Sequence, residues 1–305
     1  MIMDSSGQIE VETAHDHAPP LWPGRFVTVG EHRIFVRQAG HGGPPVVCVH
    51  GLEGSSANWT DLMAELAGEF SLDALDLPGF GYSPPAAGYS ITAQAKIVAA
   101  TIERLHDGPV HLVGNSLGGA VCVRLAARRP DLVRTVTLIS PVLPDRWPHW
   151  ELVHFPVLCV PGVGEWLLRR VDGVPAERRV RATAAFVYYD PAAIAPERLA
   201  VAAAELKRRD RLGYAARATQ ASVRALVAEV FGEALWRDAA RVRAPALVIF
   251  GSHDRLVDPR LAGRAARTFP AARVLVMRHS GHVSQMEHPA KVANEIREWT
   301  RRLPG

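Results

Sequence analysis

The sequence contains little of what marks several large classes of protein. It has three cysteines in 305 residues, Cys48, Cys122 and Cys159, and their spacing fits neither a metal-ligand motif nor a set of paired disulfides. No apolar run approaches the roughly 18 residues of a membrane span. The polar, acidic N-terminus lacks the basic and apolar regions of a signal peptide. These absences predict a soluble, cytoplasmic protein without an integral membrane span.

Charge of one sign and phosphate-binding motifs are also scarce. The formal net charge is only +4. The arginines occur singly or in pairs along helical stretches, with no basic run interleaved with aromatic residues, so no nucleic-acid partner is expected. The chain has no Walker loop and no G-x-G-x-x-G that opens a strand–helix unit, so we expect no cofactor and no metal. Nothing in the sequence predicts an oligomeric state.

What the chain does contain is an alternation of strand and helix patterns. The segments "RFVTV" and "HRIFVRQ" predict a hairpin, and "VVCV", "FSLDAL", "VHLV", "LVRTVTLIS", "ALVIFG" and "RVLVM" predict further strands separated by helices. This rhythm is typical of an α/β fold with a parallel sheet flanked by helices. It stops between about 141 and 242, a stretch too long for a connecting loop. The predicted organisation is an N-terminal arm (1–22), a core (23–140 and 243–305) and an inserted helical cap (141–242).

One serine lies at the junction between the strand "VHLV" and the helix "AVCVRLAARRP". Ser116 stands in "GNSLGG", with Gly114 two positions before it and Gly118 two positions after it. The pattern G-x-S-x-G at a strand-to-helix turn is typical of a serine whose hydroxyl is held out by a strained backbone. The alternative is an ordinary turn residue.

A nucleophilic serine needs a base within hydrogen-bond reach and an acid that orients the base. Asp254 follows the strand "ALVIFG", and His282 follows the strand "RVLVM". Because both come after strands of the predicted parallel sheet, their side chains are expected to converge at its carboxyl edge. The alternatives are Asp258 for the acid, and His279 and His288 for the base.

Five motifs in chain order resemble those of the α/β-hydrolase superfamily. They are "HGLEGSSANW", "DLPGFGYS", "GNSLGG", "GSHDRLVD" and "GHVSQMEHP", and the resemblance is to the cap-bearing branch of small serine esterases and C–C bond hydrolases. It implies a mostly parallel eight-stranded sheet with an inserted helical cap. It also implies that Ser116 is the nucleophile, His282 the general base and Asp254 the residue that orients it. The backbone N–H groups of Leu52 and Leu117 would form the oxyanion hole.

The serine at the elbow narrows the expected activity. Dehalogenases and epoxide hydrolases of this superfamily carry a nucleophilic carboxylate where this chain has Ser116. The resemblance therefore implies a carboxylesterase or lipase-like enzyme that cleaves a hydrophobic ester through an acyl-enzyme. The first alternative is a C–C bond hydrolase of aromatic meta-cleavage products. Its relatives usually carry tryptophan at the position of Val283, and a cap arginine for the substrate carboxylate. Candidates for that arginine are Arg169, Arg170 and Arg181. The second alternative is a ligand receptor on the same fold.

Candidate substrate-contacting residues lie in the insert, next to Leu52 and next to His282. Aromatic residues among leucine, valine and proline predict an apolar lid that excludes water from the site, unless they only pack the cap onto the core. These residues are Trp147, Trp150, Phe155 and Trp166. Val283 and Glu53 are further candidates. Glu53 is either solvated or faces the pocket, where it would disfavour anionic substrates. His50 and Asp76 are interpreted as structural residues of their loops.

Overall fold

The structure is a computed structural model that describes residues 2–3, 8–10, 21–145, 157, 160, 162–230 and 232–302. Four residues singled out from the sequence lie outside the described residues: Trp147, Trp150, Phe155 and Cys159.

One mixed sheet of ten strands runs through the described part of the chain. The strands are β1 (Ile2–Met3), β2 (Gln8–Glu10), β3 (Gly24–Val29), β4 (His32–Ala39), β5 (Pro45–Val49), β6 (Ser71–Leu75), β7 (Val110–Asn115), β8 (Val133–Ile139), β9 (Ala246–Gly251) and β10 (Ala272–Met277). Their order is β1-β2-β3-β4-β6-β5-β7-β8-β9-β10. The six strands β5 to β10 are parallel to one another. Strands β1 to β4 pair antiparallel in chain order, and β4 also pairs antiparallel with β6.

Helices flank the sheet and fill the insert. They are α1 (Thr60–Leu66), α2 (Ile91–Leu105), α3 (Leu117–Arg128), α4 (Val163–Asp172), α5 (Ala176–Val187), α6 (Pro196–Asp210), α7 (Ala215–Val230), α8 (Ala234–Ala239), α9 (Leu261–Thr268), α10 (Ser284–Glu287) and α11 (Pro289–Arg301). None of the helices in the described ranges combines the length and apolar character that a bilayer crossing requires.

The eight strands β3 to β10 confirm the predicted mostly parallel sheet flanked by helices. The two short strands at its edge are a difference from the sequence prediction, which treated residues 1–22 as an arm. Strand β2 pairs antiparallel with the start of β3, where Gln8 lies opposite Arg25. An edge strand offers unpaired backbone N–H and C=O groups to any neighbouring extended segment. The arm therefore contributes to the sheet where its backbone is extended.

The hydrophobic core lies in two layers, one on each face of the sheet. One layer packs α2, α3, α8 and α9 against the strands, and the other packs α1 and α11 against the opposite face. Strands β7 and β9 are buried along their whole length, as expected for parallel strands covered on both faces. Cys48 and Cys122 are buried in these layers as predicted, and burial raises the pKa of both thiols.

The insert between β8 and β9 holds the helices α4 to α8, and the described residues of 141–242 contain no strand. Its last helix packs mainly with the core, because Leu235, Trp236 and Ala239 of α8 belong to the main hydrophobic core, to which the described residues of α7 contribute only Leu226. The indole of Trp236 also donates to the carbonyl of Pro144 at 2.7 Å. The boundary predicted at residue 242 therefore assigns to the insert a helix that packs with the core.

The strand register brings four loops to one edge of the sheet. Because β5, β7, β9 and β10 are parallel, their carboxyl ends point the same way. Strand ends are paired as follows: Val49 with Gly114, Asn115 with Ile139, and Gly251 with Met277. The loops after these strands carry Leu52, Ser116, Asp254 and His282, which therefore lie at the same edge, beneath the insert.

Candidate active site

Ser116 occupies a strained turn between β7 and α3. Its φ of 56° and ψ of −120° lie in a region that residues with a Cβ rarely adopt. The surrounding backbone maintains this conformation, because the N–H of Ser116 donates to Ile139 at 3.1 Å and its carbonyl accepts from Val142 at 3.1 Å. The turn between strand and helix is thus the strained one that G-x-S-x-G predicts.

Gly118 permits the first turn of α3 to pack directly on the end of β5. A Cβ at this position would lie 2.1 Å from the carbonyl oxygen of Val49 and 2.5 Å from that of His50. Both are backbone atoms, which cannot rotate away as a side chain could. The glycine after the serine therefore brings the start of α3 against the loop that begins at His50.

Gly118→Ala is expected to destabilise the protein by about 3 kcal/mol or more, because the backbone at the end of β5 must shift to admit the methyl group. The matched control is Gly263→Ala in α9, where a Cβ would meet only the Arg267 side chain at 3.6 Å. The control is expected to be neutral or to stabilise by up to ~1 kcal/mol. Urea unfolding followed by circular dichroism measures both. Equal unfolding midpoints for Gly118→Ala and the wild type would contradict the packing argument.

Asp254 and His282 form a buried pair at the carboxyl edge of the sheet. His282 Nδ1 lies 2.9 Å from Asp254 Oδ2 and 3.1 Å from Oδ1. Because a carboxylate only accepts, Nδ1 must carry the proton, which leaves Nε2 free to act as a base. The carboxylate also accepts from the N–H groups of Leu256 at 2.8 Å and Val257 at 3.0 Å. Burial alone would raise the pKa of Asp254, but the charge of His282 and these hydrogen bonds outweigh it and lower the pKa.

The alternative acid and bases make other contacts. Asp258 accepts from the backbone N–H of Arg260 at 2.8 Å and from its Nε at 2.7 Å. His288 Nε2 lies 2.7 Å from the carbonyl of His279, and the His279 ring lies against Tyr189, with centroids 5.4 Å apart. The structure therefore brings Asp254, rather than Asp258, to His282.

A cavity of about 670 Å³ lies over these residues and is bordered by both Ser116 and His282. Its volume is within the range of small-molecule sites. The predicted residues Leu52, Glu53 and Val283 also border it. The insert contributes a largely apolar roof, including Val180, Phe186, Val187, Leu199, Leu206, Leu226 and Val227.

The two predicted oxyanion donors lie on either side of Ser116. Gly51 passes so close that a Cβ there would be 3.0 Å from the Cβ of Ser116, and Leu52 follows it at the border of the cavity. Leu117 is the first residue of α3, and N–H groups in the first turn of a helix have no acceptor within that helix. Both backbone donors are thus near the serine, and that of Leu117 lies at a helix N-terminus, which favours binding of an anion.

His50 and Asp76 organise the loops around the site, as the sequence interpretation proposes. The imidazole of His50 accepts from the N–H of Leu77 at 2.9 Å through Nε2, and its Nδ1 lies 2.7 Å from the carbonyl of Gly51. Burial lowers the pKa of His50, which keeps the ring neutral and suited to this pair of bonds. Asp76 accepts from the backbone N–H of Ser56 at 2.6 Å.

The structure differs from the predicted roles in the insert. Trp166 is 54% exposed and stacks against Arg170, whose guanidinium carbon lies 4.6 Å from the ring centroid. It does not border the cavity, because its exposed ring lies on the outer surface of α4, beside Arg170 four residues further along the helix. Arg170 and Arg181 are exposed as well, and the side chain of Arg169 lies outside the described residues. The arginines that do border the cavity are Arg198, Arg208 and Arg209.

These arginines, together with Glu205, lie on α6 and were missed from the sequence. The segment "PERLAVAAAELKRRD" has the pattern of an ordinary solvated helix. The available signal is the spacing of Glu205, Arg208 and Arg209, which places three charged side chains on one helix face. Within the described ranges, no group of three or more His, Cys, Asp or Glu side chains is arranged to hold a metal ion.

Comparisons with known proteins agree on the fold. The model of the alpha/beta hydrolase fold family matches residues 44–289. The dihydrolipoyllysine-residue acetyltransferase component of the acetoin cleaving system of Cupriavidus necator is 29% identical over 269 residues, covering 86% of this chain and 65% of that protein. This chain therefore spans less than two thirds of that relative. Lipase 1 of Psychrobacter immobilis is 26% identical over 274 residues, covering 85% of this chain and 77% of the lipase.

A solved structure of similar fold belongs to an enzyme with a different activity. It is the 2-hydroxy-6-oxo-6-phenylhexa-2,4-dienoate hydrolase of a Rhodococcus species, with a TM-score of 0.76 and 22% identity, covering 91% of this chain and 98% of that one. At this identity the likeness is one of fold.

Proposed function

The chain belongs to the alpha/beta hydrolase fold family, and we propose that it is a serine esterase acting on a hydrophobic carboxylic ester. The observation that carries this proposal is the buried Asp254–His282 pair, with Nδ1 and Oδ2 2.9 Å apart, beside a cavity that Ser116 also borders. A serine in a strained turn, a base and an orienting carboxylate are what acyl transfer requires.

In the proposed mechanism, Ser116 Oγ attacks the ester carbonyl carbon while His282 Nε2 takes the serine proton. The negative charge that develops on the carbonyl oxygen is bound by the N–H groups of Leu52 and Leu117. His282 then gives its proton to the departing alcohol, which leaves an acyl-enzyme. A water molecule, activated by the same imidazole, releases the acid. Asp254 keeps Nδ1 protonated and stabilises the charged ring during both steps.

The roof of the cavity supports a hydrophobic substrate. The aliphatic and aromatic side chains that the insert contributes suit an acyl chain or an aromatic group, and they exclude water from the reacting atoms. We propose that the insert acts as the cap of the enzyme, with α5, α6 and α7 as its substrate-facing helices. Val283, next to the base, extends the apolar wall.

A C–C bond hydrolase is the second candidate, favoured by the similarity in fold to the Rhodococcus hydrolase. Such an enzyme must hold a substrate carboxylate. Two arginines that border the cavity are already paired, Arg209 with Glu53 at 3.1 Å and Arg198 with Asp61 at 3.0 Å. The third, Arg208, donates to the carbonyl of Gly81 and lies over the Tyr82 ring. Because all three guanidinium groups already have partners within the protein, the neutral acyl group of an ester fits the cavity better. A ligand receptor on the same fold would show no turnover.

The test is hydrolysis of p-nitrophenyl esters from acetate to a long acyl chain, with a fluorophosphonate probe to map the nucleophile by peptide mass spectrometry. We expect saturable turnover that favours a medium or longer chain, and modification at Ser116 that abolishes it. The dienoate named for the Rhodococcus hydrolase is assayed in parallel. Cleavage of the dienoate without cleavage of any ester would support the second candidate, and inertness towards both would support a receptor.

A further inference from the structure

The loop that carries Leu52 is held from two sides. On the core side, Asp76 accepts from the N–H of Ser56 at 2.6 Å, and the side chain of Asn58 accepts from the N–H of Ser55 at 2.8 Å. On the other side, the side chains of Glu53 and Ser55 both reach the insert. The residues that flank the proposed oxyanion donor are thus bonded to helices belonging to a different part of the fold.

Glu53 is strained in its backbone and anchored through its carboxylate. Its φ of 59° lies in the left-handed region that glycine favours, which a residue with a Cβ occupies only when its surroundings hold it there. The carboxylate accepts from Arg209 Nη1 at 3.1 Å and from the hydroxyl of Thr219 at 3.0 Å. Arg209 is on α6 and Thr219 on α7, so two helices of the insert hold the side chain next to Leu52.

The Arg209 guanidinium is itself well positioned for this contact. Its side chain is only 12% exposed, its guanidinium carbon lies 5.0 Å from the centroid of the Phe80 ring, and its Nη2 donates to Thr219. The Glu53 side chain is about half exposed, so the geometry of the pair is set by the guanidinium, whose planar group of donors is held in place by Phe80 and Thr219.

A second bond repeats the arrangement one helical turn away. The hydroxyl of Ser55 donates to Glu205 at 2.8 Å to Oε2 and 3.0 Å to Oε1. Glu205 and Arg209 are four residues apart, hence on one face of α6. Burial and the charge of Asp76 raise the pKa of Glu205, in keeping with a carboxyl enclosed between the loop and the helix.

We propose that Glu53 and Arg209 are positioning residues that fix the N–H of Leu52 in the oxyanion hole, so that the hole is complete only when α6 is docked. This inference rests on the proposed esterase function. Neither side chain touches the reacting atoms; each acts through the backbone of the loop. The insert then closes over a substrate in the same step that completes the oxyanion hole. Catalysis is therefore restricted to substrates that allow α6 to dock against the loop.

The test compares Arg209→Ala with Asp61→Asn. Asp61 pairs with Arg198, which is on α6 as Arg209 is, with oxygen and nitrogen 3.0 Å apart, but Asp61 lies on α1, so this pair joins α6 to α1 and not to Glu53 or Ser55. Arg209→Ala is expected to lower kcat about ten- to hundredfold with KM changed less than about threefold, because a displaced oxyanion donor affects the transition state more than substrate binding. Asp61→Asn is expected to keep kcat within about threefold, because the pair it weakens is also only partly buried but holds α6 to α1 and not to the residue next to Leu52. The charge swap Glu53→Arg with Arg209→Glu is expected to regain at least half of the loss on a logarithmic scale.

Inhibition by a trifluoromethyl ketone distinguishes a displaced oxyanion donor from a general loss of active-site structure. Ser116 Oγ adds to the ketone carbon, its proton passes to His282, and the former carbonyl oxygen becomes an oxyanion in the hole. In Arg209→Ala its Ki is expected to rise by the factor by which kcat/KM falls. The analogue in which an ether replaces the ketone group forms no oxyanion, and its Ki is expected to stay unchanged.

Three outcomes overturn the inference. An unaltered kcat in Arg209→Ala refutes it, as does an equal loss in Asp61→Asn, which would mean that α6 docking matters without any special role for the loop. Equal increases in both Ki values refute it as well. In each case turnover that still depends on Ser116 leaves the esterase proposal standing. Wild-type protein without Ser116-dependent turnover refutes the esterase proposal and this inference together.

Discussion

Ser116→Ala is expected to lower kcat for every hydrolysed ester by about 10⁴-fold or more. The hydroxyl oxygen forms the bond to the acyl group in the proposed mechanism, and alanine has no atom that can form that bond. Substrate binding depends on the cavity walls, so KM is expected to change only a few-fold. Alanine carries a Cβ as serine does, so the φ of 56° at this position strains both side chains alike and folding should be retained.

The matched control for this experiment is Ser284→Ala. Ser284 is a buried serine two residues after His282, but its hydroxyl lies 2.8 Å from that of Ser280 and it does not border the cavity. We expect kcat within about threefold of wild type, an interaction between two hydroxyls being worth on the order of 1 kcal/mol. Covalent labelling by a fluorophosphonate should disappear in Ser116→Ala and persist in Ser284→Ala. More than a tenth of wild-type activity in Ser116→Ala would contradict the acyl-enzyme mechanism.

The sheet and the main site residues could be predicted because their signals are local. Each strand that ends at the site is a short apolar run followed at once by a loop residue, as with "ALVIFG" before Asp254 and "VHLV" before Ser116. Parallel strands place the residues that follow them at one edge of the sheet. Pattern and topology together therefore bring Ser116, Asp254 and His282 to the same region without any knowledge of long-range contacts.

The polar wall of the cavity could not be predicted, because it depends on how the insert docks. Glu53 and Arg209 are 156 positions apart, and the charged face of α6 has the same pattern as a helix exposed to water. Trp166 shows the opposite case. An aromatic residue among aliphatic ones predicted a lid contact, but the helix turns it outwards, where Arg170 covers its ring. The residue types along α4 and α6 do not show which face of each helix packs against the rest of the protein.

Asp254→Asn is expected to lower kcat by about 10⁴-fold while the fold is retained. Asparagine can still accept from the N–H groups of Leu256 and Val257 through its amide oxygen. Its NH₂ group, however, can face His282 Nδ1 as a donor, and the imidazole then carries its proton on Nε2. A ring protonated on Nε2 cannot take the proton of Ser116 Oγ. The loss should therefore appear in kcat with little change in KM.

Asp258→Asn tests the same substitution four residues further along the chain. Asp258 also borders the cavity, but its buried carboxylate binds the backbone N–H and the side chain of Arg260. We expect kcat within about fivefold of wild type, because the amide oxygen of asparagine can still accept from the backbone N–H and the lost charge faces a guanidinium that is 79% exposed. If Asp258→Asn were the more damaging change, Asp258 would be the residue that orients the base.

Stability as a function of pH gives an independent check on the Asp254–His282 pair. The pKa of Asp254 is lowered from its ordinary value of 3.8, so the folded state favours the ionised carboxylate more than the unfolded state does. That contribution is present above the ordinary pKa and is lost as the pH falls through the lower pKa of the folded protein. The difference in free energy of unfolding between wild type and Asp254→Asn should therefore be largest at neutral pH and shrink below about pH 4. A difference that did not change with pH would mean that Asp254 is not held as an anion beside the imidazole, and the base would lack the partner that keeps its Nε2 free.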